Sequence, residues 1–177
     1  MRVVIIRDAL PSELADVGEV RVSAYQAGGH LSPASRYAPV LRALGTAGDG
    51  TVLVAVGGSD GAVDGRILGT VMLQRWPHAG AVVTGPDEAE IRALAVTPGG
   101  QGQGTATALL GAVIDRAARA GVRHLVLFTL PDMRVAQHLY RRAGFRRLPD
   151  RDWSPAPGET LLAYGLVLTG EESAAGG

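Results

Sequence analysis

Between Val96 and Leu110 the chain reads VTPGGQGQGTATALL, with four glycines and two glutamines set between an apolar run and the start of a helical pattern. Glycine takes positive φ cheaply and lets another molecule approach the main chain, yet fixing it on folding costs more backbone entropy than fixing any other residue. A strand that ends in such a turn and continues as a helix gathers unpaired amide N–H groups and the positive end of a helix dipole at one point, which suits a phosphate. The junction therefore calls for an α/β arrangement in which a strand feeds a helix, and it points to a phosphate-bearing ligand.

At 177 residues and 46% hydrophobic content the chain is long enough to bury a sizeable core, and it reads as one domain over 1–169 with a small, polar tail over 170–177. The formal net charge is zero and no block of like charge occurs, so neither nucleic acid nor an anionic membrane is an expected partner. Every one of the 17 basic residues is arginine. The absence of cysteine excludes disulfides, thiolate metal sites and a cysteine nucleophile, and no metal site is expected. The opening MRVVIIRDAL is too short an apolar run for a secretory signal, so a cytoplasmic location is the expectation.

Periodicity and turn chemistry divide the chain further. A strand is predicted over Arg2 to Arg7, then a helix entered at Pro11-Ser12-Glu13 and running to about Tyr25. The chain breaks at Gly28-Gly29, and a short helix starts near Ser35. TVLVAV and GRILGTVMLQRW, separated by GGSDGAVDG, predict an antiparallel hairpin, and AEIRALAV a fourth strand. A helix from Gln103 to about Ala120 and the buried strand VRHLVLFTL complete a β-α-β unit whose two strands pair in parallel. A helix from Pro131 to Ala143 and the strands FRRL and ETLLAYGLVL follow. The expected class is mixed α/β around one sheet, with no internal repeat.

Two phosphate-binding patterns fail here. A nucleotide P-loop needs a lysine, and the chain has none; the dinucleotide G-x-G-x-x-G should follow the first strand of a repeated βα pattern, whereas this turn follows a hairpin. The turn instead matches Q/R-x-x-G-x-G/A through Gln101, Gly104 and Ala106. Downstream, MRVAQHLYRRAGF matches N-x-x-A-x-x-L-Y-x-x-x-G-F at Ala136, Leu139, Tyr140, Gly144 and Phe145. With both patterns in order, the chain resembles the Gcn5-related N-acetyltransferase (GNAT) superfamily. The resemblance implies a mostly antiparallel sheet with a parallel fourth and fifth strand and helices on both faces. It implies acetyl-CoA as acyl donor, its pyrophosphate against the amides of Gln101, Gly102, Gln103, Gly104, Thr105, Ala106 and Thr107. Leu94, Ala95 and Val96 would border the cofactor from the strand, and Met133 and Ala136 from the later helix. Met133 replaces the asparagine that usually contacts the pantetheine arm.

Acetyl transfer to an amine needs a neutral nitrogen, because an ammonium ion with a pKa of about 10 has no lone pair. Strict strand alternation places Glu90, Arg92, Leu94 and Val96 on one face and Ile91, Ala93 and Ala95 on the other. Glu90 stands eleven residues before Gln101, where Gcn5-like members carry a glutamate base, so the resemblance implies that role; the other reading is a solvated glutamate paired with Arg92. Glu88 could share or replace it, and His78, His30 or water could relay the proton. Amides near Ala95 and Val96 suit the charge that grows on the carbonyl oxygen. By the same resemblance Tyr140 protonates the leaving thiolate; its alternative is a packed ring with its hydroxyl on a backbone carbonyl. Direct transfer without an acyl-enzyme is expected. The acceptor is expected to be a primary amine of a small molecule or peptide, and a homodimer is compatible with the sequence. The competing function is a non-catalytic acyl-CoA-binding or sensing domain.

Overall fold

In the computed structural model, which describes residues 2–59 and 62–169, strand β1 (Arg2–Asp8) runs through a 3-10 turn at Pro11–Glu13 into helix α1 (Leu14–Ala27). Glu13 holds that entry, taking the Leu10 N–H at 2.8 Å and the Arg7 guanidinium at 2.7 Å. Helix α2 (Ala38–Ala43) begins at a proline-bearing turn, three residues later than Ser35 would have it. Strands β2 (Thr51–Ser59) and β3 (Ala62–Arg75) form the expected antiparallel hairpin, and β4 (Glu88–Val96) pairs antiparallel with β3. Helix α3 (Thr105–Arg119) crosses to β5 (His124–Thr129), followed by α4 (Arg134–Arg142), β6 (Arg146–Arg147), β7 (Trp153–Ala156) and β8 (Glu159–Val167). The predicted tail, 170–177, lies outside the described residues.

The strands form one eight-stranded sheet in the order β1-β2-β3-β4-β5-β8-β6, with β7 on β8. The single parallel pairing is β4 with β5, as the β-α-β reading predicts. Two features depart from expectation. Strand β7 has no clear signal in a stretch interrupted by prolines, and β8 enters between β5 and β6 instead of at an edge. Side-chain alternation then sorts residues into two cores. Leu53, Val71, Leu73, Ile91, Leu125 and Leu127 face α3, where Leu109, Leu110 and Val113 cover them. Val52, Val54 and Met72 face α1 and α2, against Val17, Val22 and Leu41.

Strand β4 carries the irregularity that matters for function. Its register with β3 slips between the Met72↔Arg92 and Thr70↔Ala95 pairs, and Ala93 takes φ of 51°, a conformation strained for any residue with a Cβ. This bulge corrects the strict alternation expected from sequence. Glu90 and Arg92 sit opposite Gln74 and Met72 on the α1 face, while Leu94 and Val96 pack into the α3 core on the opposite face. The parallel pairing of β4 with β5 covers only Glu88 to Glu90 against His124 to Val126, so beyond Glu90 the two strands part. A wedge therefore opens between them on the side where the glycine turn lies.

Among the described residues no helix is long and apolar enough to cross a membrane, and no group of three or more His, Cys, Asp or Glu could hold a metal ion.

Candidate active site

At the open end of the wedge, Thr97 starts a 3-10 turn over Pro98–Gly100, its hydroxyl accepting the Gly100 N–H at 3.2 Å. Gln103 Nε2 donates to the Gly99 carbonyl at 2.7 Å and Thr105 Oγ1 to the Gly100 carbonyl at 2.8 Å, so side chains of the turn tie it back on itself. Gly102 and Gly104 have φ of 72° and 74°, and a Cβ built on either would meet nothing within 4 Å. Glycine is needed there for the left-handed backbone, and the space in front of it is free. Among the described residues the six amides from Gly102 to Thr107 donate to no protein acceptor; the first helical bond nearby is Ala108 N–H to Gly104 O at 2.9 Å. A run of unpaired N–H groups at the N-terminus of a fifteen-residue helix fits a diphosphate in both charge and geometry.

On the α1 face of β4, Glu88 and Glu90 sit two residues apart in opposite electrostatic settings. Burial alone would raise the Glu88 carboxyl, but the Thr84 N–H at 2.8 Å, His124 Nδ1 at 2.9 Å and Arg151 at 2.8 Å hold it down at about 2. That carboxylate is locked in an ion network that favours its charged, weakly basic form. Glu90 is 5% exposed, and burial pushes its carboxyl above the usual range against the opposing pull of Arg92 and the Gly80 N–H. A carboxylate made more basic by desolvation is suited to accept a proton near neutral pH.

Glu90 is held by two groups. The Gly80 N–H donates to Oε2 at 2.7 Å, and Arg92 Nε stands 3.8 Å from Oε1. Arg92 is oriented in turn by Gln74, whose Oε1 accepts Arg92 Nη1 at 3.1 Å while its Nε2 donates to Asp49 Oδ2 at 2.8 Å. Neither proposed relay histidine bonds to Glu90: His78 is exposed on the β3–β4 connection, and His30 Nδ1 lies 3.3 Å from Asp132 Oδ2.

Tyr140 lies on the other side of the wedge. Its ring packs against Phe145 and Tyr164 with centroids 5.8 and 6.2 Å away, and burial pushes its hydroxyl upward in pKa. Among the described residues that hydroxyl makes no hydrogen bond, so the carbonyl partner expected of a purely structural tyrosine is absent. Gln137 does the anchoring in this region, donating to the Leu130 and Pro131 carbonyls at 3.0 and 3.1 Å and accepting from the Tyr164 hydroxyl at 3.2 Å. Met133 is the residue before α4, its sulfur accepting the Thr129 hydroxyl at 3.6 Å, and Ala136 packs with Leu139 on the α3 core.

Sequence reasoning overlooked Gly80, Gln74, Asp49, Arg21 and Tyr25. Gly80 belongs to an ordinary turn sequence, Trp76-Pro77-His78-Ala79-Gly80, and nothing in it names a carboxylate ten residues away. A buried glutamine in a β-rich run, Gln74, was the one legible signal, since polar side chains are buried only with partners.

Comparison with known proteins places these features in context. The model of the acetyltransferase (GNAT) family matches residues 29–145. A mycothiol acetyltransferase of Cellulomonas flavigena is 35% identical over 108 residues, covering 56% of this chain and 31% of that protein, so the match spans about a third of the relative's length. Among solved structures, a GNAT-family acetyltransferase from Staphylococcus aureus Mu50 superposes with a TM-score of 0.71 at 18% identity, covering 94% of this chain and 100% of the other. The ribosomal-protein-S18-alanine N-acetyltransferase of Escherichia coli gives 0.65 at 21% identity, covering 96% and 98%. The PaiA N-acetyltransferase of Thermoplasma acidophilum, solved with coenzyme A, gives 0.67 at 15% identity, covering 94% and 99%. At these identities the structures speak to the fold.

Proposed function

The chain belongs to the acetyltransferase (GNAT) family, and from that premise we propose that it transfers the acetyl group of acetyl-CoA to a primary amine of a small molecule or peptide by direct attack within a ternary complex. The observation that carries this reading is the run of unpaired amides from Gly102 to Thr107, opening onto the gap where β4 and β5 part company. Bound there, acetyl-CoA supplies a thioester carbonyl as electrophile and a thiolate as leaving group. Within the same reading, Gly102 to Thr107 receive the diphosphate through main-chain N–H groups, while the Gln101 N–H is taken by the Pro98 carbonyl at 3.4 Å and leaves that residue only its side chain to offer. Leu94, Ala95, Val96, Met133 and Ala136 border the thioester-bearing arm.

Glu90 accepts the proton that the acceptor nitrogen must lose, and its burial favours that uptake. Main-chain N–H groups of β4 beyond Glu90 have no β5 partner and are the available donors to the carbonyl oxygen as negative charge grows on it. The Tyr140 hydroxyl, without a hydrogen-bond partner among the described residues, gives its proton to the departing sulfur and regains one from solvent. The bond formed is N–C, the bond broken is C–S, and both protons are accounted for by these two side chains. The sheet that runs from β1 to β8 supports treating 1–169 as one acetyltransferase domain; a cytoplasmic location belongs to the same proposal.

The rival reading, an acyl-CoA-binding domain without turnover, draws on Met133, whose thioether is turned to Thr129 and offers no strong hydrogen bond to the pantetheine arm. Steady-state release of free thiol from acetyl-CoA against a panel of primary amines separates the two. Amine-dependent release supports the transferase; tight acetyl-CoA binding with no release above solvent hydrolysis supports the sensor.

A further inference from the structure

Two arginines stand on the α1 side of β4 without an anion that balances both. Arg21 of α1 is fully buried, and its Nη1 donates to the Leu41 and Leu44 carbonyls at 3.0 and 2.7 Å; its Nε and Nη2 reach no acceptor among the described residues. Arg92 keeps 23% of its side chain open. Its Nη1 is fixed by Gln74, itself only 2% exposed, and its Nη2 makes no hydrogen bond among the described residues. The two guanidiniums sense each other. Burial first, and Arg92 among the further causes, bring Arg21 down to about 10. Tyr25, half-buried on α1, lies within electrostatic reach of Arg21, Arg92, Tyr37 and Tyr140.

Among the described residues the one carboxylate within ion-pair distance of either guanidinium is Glu90, 3.8 Å from Arg92 Nε, and burial disfavours its charged form; Asp49 reaches Arg92 only through Gln74. Among the described residues the Nη2 edge of Arg92 therefore faces no carboxylate, in a place where unpaired charge is costly. We propose that the acceptor is a zwitterionic amine, an α-amino-acid head whose free carboxylate pairs with Arg92 while its nitrogen meets Glu90. This rests on the reading of the Glu90 side of β4 as the acceptor site.

The geometry is complementary head to head. Opposite charges separated by 3.8 Å on the protein face the amine and carboxylate of an amino acid, which standard bond lengths set roughly 3 Å apart. A guanidinium held in place with a free N–H edge is the group that reads a carboxylate with direction as well as charge. The positive field of Arg92 and Arg21 also lowers the pKa of an ammonium brought beside Glu90, easing the proton loss that acetyl transfer requires. A polyamine fits poorly, because a second ammonium in the carboxylate's place would face Arg92 with like charge.

The test measures thiol release by the full chain with acetyl-CoA and the twenty proteinogenic L-amino acids. Each is paired with its carboxamide and its decarboxylated amine, and spermidine is included. The expected result is a kcat/KM at least tenfold higher for one or more amino acids than for their neutral-headed partners. In Arg92→Gln that ratio falls by tenfold or more, chiefly through KM, and Arg92→Lys, which keeps the charge, retains part of it. Turnover of carboxamides, decarboxylated amines or spermidine that equals or exceeds the amino acids overturns the proposal, as does a ratio that survives Arg92→Gln. If no amine is turned over, the transferase reading fails by itself. Calorimetric titration of the same amino acids and carboxamides then still decides: carboxylate-dependent binding lost in Arg92→Gln upholds the inference, and equal or absent binding overturns it.

Discussion

Gly80 and Glu90 are fitted to one another: the glycine N–H donates to Oε2 at 2.7 Å, and a Cβ added to Gly80 would stand 2.8 Å from the same oxygen. Gly80 is not among the residues with positive φ, so the glycine is required by the carboxylate's space. In Gly80→Ala the methyl group displaces the carboxylate and weakens the one hydrogen bond that lowers its pKa. The acidic limb of kcat/KM is then expected to move to higher pH, with a rate loss of roughly tenfold at neutral pH, a fraction of what losing a general base costs. Introduced into Glu90→Gln, the same change adds little. A pH profile identical to that of the parent would detach Gly80 from the mechanism.

Glu90→Gln keeps the shape and the acceptor for the Gly80 N–H but cannot take a proton, and kcat/KM is expected to fall by roughly 10²–10⁴. Stability should move the other way. A carboxyl whose folded pKa is raised binds its proton more tightly folded than unfolded, so it destabilises the protein as pH rises from the unfolded value through the folded one. At neutral pH the variant should therefore melt no lower than the parent. Normal turnover in a folded Glu90→Gln protein removes the base assignment.

Glu88 should behave inversely. Its folded pKa of about 2 means that its stabilisation is present above the unfolded carboxylate value and is lost as pH falls toward 2. Glu88→Gln strands His124 and Arg151 and is expected to lower stability by about 2–3 kcal/mol, in line with breaking a buried ion network. Denaturant melts of both glutamate variants from pH 3 to pH 7 check the pair. An unaltered acid sensitivity in Glu88→Gln contradicts this account.

Gly104→Val places a branched side chain on a backbone with φ of 74° and projects it into the free space before the unpaired amides. The left-handed strain costs roughly 1–2 kcal/mol of folding stability. The larger effect is expected on acetyl-CoA, with Kd rising at least tenfold by calorimetry while circular dichroism stays native. Gln101→Ala, which alters an exposed side chain and leaves the amides in place, should change Kd only slightly. Equal affinity in a folded Gly104→Val protein would move the diphosphate elsewhere.

Tyr140→Phe removes a hydroxyl that has no hydrogen-bond partner among the described residues and keeps the packed ring, so the melting temperature should hold while kcat drops. Because burial raises this phenol, an alkaline limb belonging to it falls above the ordinary value of 10. Retained kcat with a lowered melting temperature would mark Tyr140 as structural.

Strand and helix types, the parallel β4–β5 pair and the glycine turn at the head of α3 were legible because each rests on local physics. Hydrophobic period, turn formers and glycine's tolerance of positive φ all act within a few residues of where they are written. The MRVAQHLYRRAGF helix was legible for the same reason, although α4 begins only at Arg134. Tertiary structure alone decided three matters. Strict alternation put Leu94 and Val96 on Glu90's face, and the bulge at Ala93 moved them to the other, because a bulge is set by the pairing partner β3 and not by β4's own sequence. The insertion of β8 between β5 and β6 was likewise invisible, since strand order follows from which edges meet in space. Most consequential is the divergence of Glu88 and Glu90. Two carboxylates two residues apart read alike in sequence, but Arg151, His124 and Thr84 gather on one while burial and a single glycine N–H surround the other. The partners come from 4 to 63 residues away in the chain, and only folding brings them within hydrogen-bonding range.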